Sequence, residues 1–170
     1  MNPRATQETP GAGPSQGQDQ IFVHASAVAI KEVGVLIRGA SGAGKSSLAL
    51  ALIAAATNAG FFARLIGDDR IGLEHRGGRL IARGHPAILG KIERRGLGIF
   101  ELPFLAAAVI RLVADLEPAD AAPPRYPEPE RSRVALAGVS LPLVRLPHGA
   151  AASDSALSVL QLFHSGWKSL

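Results

Sequence analysis

Gly39-Ala40-Ser41-Gly42-Ala43-Gly44-Lys45-Ser46 is the stretch whose reading decides the fold. It fits G-x-x-x-x-G-K-[ST], the phosphate-binding P-loop pattern. Gly34-Val35-Leu36-Ile37-Arg38 before it reads as a short apolar strand, and Ser47-Leu48-Ala49-Leu50-Ala51-Leu52-Ile53 after it as a helix of good helix formers. Strand, glycine-rich loop and helix are the context that gives the motif meaning. Glycines let the backbone turn so that successive N–H groups face inward, and the first helical turn adds unpaired N–H groups and the positive end of its dipole. Residues Gly39, Ala40, Ser41, Gly42, Ala43, Gly44, Lys45 and Ser46, with Ser47 just beyond, are therefore the expected phosphate cradle. Lys45 would reach the β- and γ-phosphates and the Ser46 hydroxyl would ligate Mg²⁺. The bland alternative is a glycine-rich turn that caps a helix and binds nothing. Against it, the chain has four Lys and fourteen Arg, yet a Lys stands at the one position that requires it.

Around this motif the composition sets bounds. The 170 residues predict one domain, and 47% hydrophobic residues with only 5% aromatics predict a core of Leu, Val, Ile and Ala. Cysteine is absent, which removes disulfide frameworks and Cys-ligated zinc and is compatible with a cytoplasmic location. No apolar run reaches the ~20 residues needed to span a bilayer, so no membrane role is expected. The net charge of +4 is spread as Arg without a basic block, and no aromatic–basic interleaving suggests a nucleic-acid face.

Residues 1–19 are rich in Gly, Pro and Gln with hardly any apolar residues and read as a disordered tail, leaving 20–170 as one P-loop domain. Strands are expected at 21–24, 27–30 and 61–66, with the P-loop helix ending near Asn58-Ala59-Gly60. Residues 70–75 and 79–83 flank Arg76-Gly77-Gly78 as a hairpin. The charged, glycine-rich stretch 84–99 reads as a structured functional loop. Residues 106–116 fit a helix or a strand, and 117–131, with five prolines, a mobile surface loop. Late strands are expected at 134–137 and 139–146. Leu157, Leu160 and Phe163 have the spacing of an amphipathic C-terminal helix over 151–164. The expected fold is α/β: a kinase-like P-loop domain with a mixed sheet, the P-loop helix and a C-terminal helix.

Three further features carry chemistry. Asp68 and Asp69 end an apolar strand that follows the P-loop helix, and strand ends of a parallel sheet line the crevice beside such a loop. One carboxylate can hold Mg²⁺ while the other takes a proton from an attacking hydroxyl. Since neighbours on a strand face opposite ways, the two need not share a task. Glu93 with Arg95 and Gly96-Leu97-Gly98 forms a second charged cluster: a Glu could complete a metal shell and an Arg could neutralise a transferring phosphoryl group. His24 ends the first strand. Taken alone, each is more often a solvated turn, a solvated loop or a hydrogen-bonded structural His. His85, His148 and His164 have no supporting feature, and no His pair has zinc-ligand spacing. With only Asn2 and Asn58 in the chain, the Asn-Lys-x-Asp guanine-reading motif is missing, which leaves a compact kinase-like protein.

Three segments together resemble the C-terminal catalytic domain of bacterial HPr kinase/phosphorylase. They are residues 34–46 as the strand and P-loop, 64–69 as the L-[IV]-x-D-D strand end, and 93–99 as E-x-R-G-L-G-I, the most specific of the three. Val23-His24 upstream fits as well, and the resemblance is good over about residues 21–103. It implies an enzyme that uses ATP and Mg²⁺ to phosphorylate a seryl hydroxyl of an HPr-type phosphocarrier protein, and that reverses the reaction with inorganic phosphate. By motif position, Asp69 resembles the acid/base group, Glu93 the second metal ligand beside Ser46, and His24 the active-site His. Arg95 falls in the loop used in both directions, and Asp68 with His24 would hold Asp69. The resemblance also implies a homo-oligomer, a hexamer in the family, and a short form lacking the usual N-terminal domain. The chain departs from the pattern in having Ser47 where Glu is usual. The late P-V-x-x-G-R-N segment has its nearest counterpart at 141–147, followed by His148-Gly149, and the late catalytic Arg corresponds to Arg131 or Arg133. Two other readings stay open at this point: a small-metabolite P-loop kinase, and a non-enzymatic ATP-sensing module.

Overall fold

The structure, a computed structural model, describes residues 20–121 and 132–164. The tail 1–19, most of the proline-rich stretch, Arg131 and Trp167 lie outside the described residues.

Among the described residues eleven strands and two α-helices follow in order: β1 Ile21–Val23, β2 Ser26–Ile30, β3 Val33–Arg38, α1 Lys45–Asn58, β4 Ala63–Gly67, β5 Ile71–Arg76, β6 Arg79–Gly84, β7 Lys91–Arg94, β8 Gly98–Glu101, β9 Ala107–Leu116, β10 Arg133–Leu136, β11 Val139–Leu146 and α2 Ala152–His164. The P-loop strand β3 sits mid-sheet between β2, antiparallel, and β9, parallel. β4 pairs antiparallel with the other edge of β2, so β3 and β4 run the same way one strand apart. Asp68-Asp69 therefore reaches the P-loop end of the sheet, with β2 between the two strands. β9 is the hub: β6 pairs antiparallel with its first half and β11 parallel with its second, both along the edge opposite β3. The sheet is mixed, as expected.

Alternation in the strands builds two cores. Val28, Ile30, Val35, Ile37, Leu112 and Ala114 face the helices, where they meet Leu48 and Leu52 of α1 and Val159 and Leu160 of α2. Ala27, Ala29 and Leu36 face the other way, onto Ile66, Leu73, Leu80 and Val113. The helix α1 is apolar nearly all round because it lies between the sheet and α2. Each fully buried Leu there contributes about 1.5–3 kcal/mol by burial.

Two expectations change, and one open choice closes. Residues 84–99 are not one loop: a short 3₁₀ turn at Pro86–Ile88 leads into the antiparallel hairpin β7–β8, which anchors through Ile92 and turns at Arg95-Gly96-Leu97. Residues 106–116 form a strand, because the segment is buried along both faces of a central ladder rather than along one stripe. On α2 the inward face is Ala156, Val159 and Leu160, while Leu157 is exposed. The predicted face is thus rotated by about one residue.

Two backbones touch where β4 ends. A Cβ at Gly67 would lie 2.8 Å from the Gly84 Cα, and a Cβ at Gly84 would lie 2.4 Å from the Ile66 carbonyl oxygen. Only glycine at both positions permits this contact, which brings the end of β6 against the segment leading to Asp68.

Candidate active site

The P-loop adopts the conformation its glycines allow. Gly39, Gly42 and Gly44 have φ of 150°, 79° and 99°, and Gly44 is the residue that starts α1. These left-handed turns fold the loop over the helix N-terminus. Lys45 is almost fully buried, and its Nζ donates to the carbonyls of Gly39 at 3.0 Å and Ala40 at 2.9 Å. Burial pushes the Lys45 ammonium below the usual lysine range, and the charges of Asp68 and Asp69 oppose that shift.

The two carboxylates divide their work. Asp68 is buried and faces inward, where it accepts from the Ser46 Oγ at 2.9 Å, from the Ser26 Oγ and from the Glu93 backbone N–H at 3.4 Å. Asp69 has a left-handed φ of 65° and turns outward, and its Oδ1 lies 3.0 Å from the His24 Nε2. Register accounts for that pair: Val23 of β1 sits opposite Ile71 of β5, so the residue after β1 meets the turn before β5. His24 thus holds Asp69, whereas Asp68 serves Ser46 instead of Asp69. The left-handed turn, and not strand alternation, separates the two.

These groups line one cleft of about 280 Å³ together with Glu93, Arg94 and Arg95. The Arg95 guanidinium lies about 3.8 Å from where a Cβ on Gly42 would be, so it overhangs the loop. The Arg94 Nη1 donates to the Ser47 Oγ at 3.3 Å. The P-loop residues, His24, both Asp, Glu93 and Arg95 are therefore brought to this end of the sheet, whereas Arg133 bonds to Ser140 on β11. Among the described residues no three His, Cys, Asp or Glu side chains converge as a metal cage. A hydroxyl and carboxylates around one cleft are nonetheless hard oxygen donors of the kind Mg²⁺ takes when phosphates and water complete its shell.

Two participants carry no signal in the sequence. Ser26 is an ordinary polar residue at the start of a strand, yet it is fully buried against Asp68. Arg38, the last residue before the loop, forms a bidentate pair with Asp115 across β3 and β9, at 2.7 Å and 2.6 Å. That bonding raises the pKa of the Arg38 guanidinium further, against the opposing effect of its burial. A pair of opposite charges at matched ends of two parallel strands is the only hint, and it needs the register to be seen. The His85 Nδ1 accepts from the Ala87 N–H and its ring packs on Phe22, and His148 borders a larger cleft of about 740 Å³ that also reaches His24.

Known proteins resemble this chain in sequence and in fold. The family model of the HPr Serine kinase C-terminal domain matches residues 16–151. HPr kinase/phosphorylase of Mycoplasma mycoides subsp. mycoides is 47% identical over 79 residues, which covers 46% of this chain and 23% of that protein. HPr kinase/phosphorylase of Azoarcus sp. is 34% identical over 140 residues, covering 76% and 42% respectively. The structure of the HPr(Ser) kinase/phosphatase from Coxiella burnetii superposes with a TM-score of 0.68 at 25% identity, over 85% of this chain and 95% of that one. The chain spans less than half the length of these curated relatives, 23% and 42% of the two.

Proposed function

This chain belongs to the HPr serine kinase C-terminal domain family, and from that premise we propose that it transfers the γ-phosphoryl group of ATP to a seryl hydroxyl of an HPr-type phosphocarrier protein. The observation that carries this reading is the split of the acid pair: Asp68 bonded to the P-loop serine, Asp69 exposed on His24 at the rim of the same cleft. A buried carboxylate on Ser46 suits a metal site. An exposed one suits a hydroxyl delivered by another protein.

In the forward direction the seryl oxygen attacks the γ-phosphorus, the bond to the bridging oxygen of ADP breaks, and Asp69 takes the seryl proton. His24 orients Asp69 through its 3.0 Å contact. Lys45 and Arg95 offset negative charge on the phosphoryl oxygens, and the inward N–H groups of residues 39–46 hold the phosphates. Ser46, Asp68 and Glu93 would hold Mg²⁺, which neutralises phosphate charge when bound. In the reverse direction Asp69 returns the proton as phosphate attacks the phosphoserine, releasing pyrophosphate. We extend the proposal to a homo-oligomer acting in the cytoplasm; Leu97, Ile99 and Phe100, exposed on the β7–β8 hairpin, offer apolar surface for such contacts.

The test is incubation of the protein with γ-labelled ATP, Mg²⁺ and purified HPr, followed by the reverse reaction with inorganic phosphate. Label on an HPr serine, lost with Lys45→Ala and on chelation of Mg²⁺, is the expected result. ATP turnover with label on a small metabolite, or ATP binding without transfer, would overturn it.

A further inference from the structure

Three arginines that are scattered in the sequence line up at the end of the sheet away from the P-loop. Arg76 and Arg79 are directly opposed at the tip of the β5–β6 hairpin. β6 and β9 pair as far as Leu80 and Ile110, so Arg79 and Arg111 stand level one residue further on. Leu80 and Ile110 face the core, which puts Arg79, Arg111 and the opposed Arg76 on the outward face, and all three are exposed. Arg111 is also the extra residue of a β-bulge, because Gly34 of β3 opposes Ile110 while Val35 opposes Leu112. Such bulges re-aim a side chain. Along β9, Arg111 lies about 13 Å from Asp115 at the P-loop end.

The row is unfavourable as it stands, since like charges opposed across strands repel. On the same hairpin Arg83 is paired with Glu74 at 3.6 Å, whereas Arg76, Arg79 and Arg111 have no acidic partner among the described residues. Beside the row the ladder forks. β6 pairs with β9 up to Ile110 and β11 from Val113 on, which leaves a cleft of about 250 Å³ bordered by Arg79, Arg111 and Ser140. Arg133 of β10 donates to the Ser140 Oγ at 3.0 Å and adds a fourth guanidinium at the margin.

Magnitude and spacing decide what fits. One exposed ion pair is worth at most about fivefold in affinity, so a single small anion would not be held. Several carboxylates on one rigid element collect several such contacts. Adjacent strands are about 4.8 Å apart, and acidic residues three or four positions apart on a helix are about 5–6 Å apart, so a helical stripe matches the row. α1 carries no acidic residue and α2 only Asp154, so the helices of a second copy do not supply that stripe. Among the described residues no aromatic side chain lines the fork, so the bases of a nucleic acid find nothing there to stack on. We propose that the row of Arg76, Arg79 and Arg111 is a docking surface for an acidic helix face of another protein, separate from the cleft that holds the phosphates.

Fluorescence anisotropy with the full chain tests this without reference to catalysis. The probe is a labelled helix of alanine and glutamine, about 20 residues long, with Glu at every third or fourth position along one face. The control helix has the same composition with its Glu spread all round. The striped helix should bind about fivefold or more tighter than the control, and should weaken about tenfold between about 0.02 M and about 0.3 M NaCl. Arg79→Gln/Arg111→Gln should lose roughly tenfold or more, the product of two exposed contacts. Lys45→Ala should bind as the wild type does, because the row stands at the other end of the sheet. Arg79→Gln alone relieves repulsion on both sides, so its melting midpoint should equal or exceed the wild-type value, and lost affinity is then not lost folding. Equal binding of the two helices, wild-type affinity in the double variant, or loss of binding in Lys45→Ala would overturn the proposal. So would a short DNA duplex that binds as tightly as the striped helix, or a lowered midpoint in Arg79→Gln.

Discussion

Asp69 combines two roles that one pair of substitutions separates. Its φ of 65° is left-handed, a conformation that costs most L-residues about 1–2 kcal/mol but that Asp and Asn visit readily. Asp69→Asn keeps the shape and the turn. It loses only a contact to His24 between two largely exposed groups, which contributes little in water. Stability should barely move. Catalysis should fall by ~10²–10⁴, the usual loss for a missing general base, or about 2.7–5.5 kcal/mol in the barrier. Asp69→Ala loses the same base and also strains the turn by about 1 kcal/mol. For a chain of this length that lowers the melting midpoint by about 2–4 °C relative to Asp69→Asn. The assays are label transfer from γ-labelled ATP to HPr and a thermal melt of each variant. Transfer by Asp69→Asn above about a tenth of the wild-type rate would refute the proton-acceptor role. Equal midpoints for the Asn and Ala variants would refute the argument from backbone conformation.

Three further outcomes follow from contacts elsewhere. Ser26→Ala removes a buried donor from Asp68 and should cost about 1–3 kcal/mol, read as a lower denaturant midpoint at unchanged slope, together with a higher Mg²⁺ requirement for transfer. Arg38→Leu leaves Asp115 part-buried without its bidentate partner, so the single variant should lose more stability than the Arg38→Leu/Asp115→Leu pair, with a coupling of about 0.5–3 kcal/mol in a double-mutant cycle. Gly67→Ala forces a Cβ to within 2.8 Å of the Gly84 backbone and should cost about 1–3 kcal/mol by urea titration.

What was legible in the chain was whatever depends on neighbours in sequence. The P-loop needs a strand, glycines and a helix in succession, and all three are local. The hairpin over 70–83 rests on adjacent turn residues. The acid pair was visible, as was the expectation that its members need not share a task; what was not visible is the left-handed angle that turns Asp69 outward, which no spacing encodes. Ser26 stayed invisible because a serine in a strand gains meaning only once β2 is placed between β3 and β4. Arg38 and Asp115 are far apart in sequence and meet through the β3–β9 register. Residues 106–116 were ambiguous because a strand buried on both faces loses the alternation that would mark it. Leu157 misled because its spacing fits a helical stripe, while the face is set by where α1 leaves room.

The contact between Gly67 and Gly84 has a consequence for how this site can change over generations. A substitution at either glycine collides with main chain as well as with Ile71 or Leu89, so trimming those side chains would not relieve the clash. Second-site suppressors of Gly67→Ala would therefore have to act on the paths of β4 and β6 themselves, through turns or strand lengths, and the same lesion would pull Asp68 away from Ser46. A selection that seeks such revertants is expected to recover the original glycine far more often than any change at a second position.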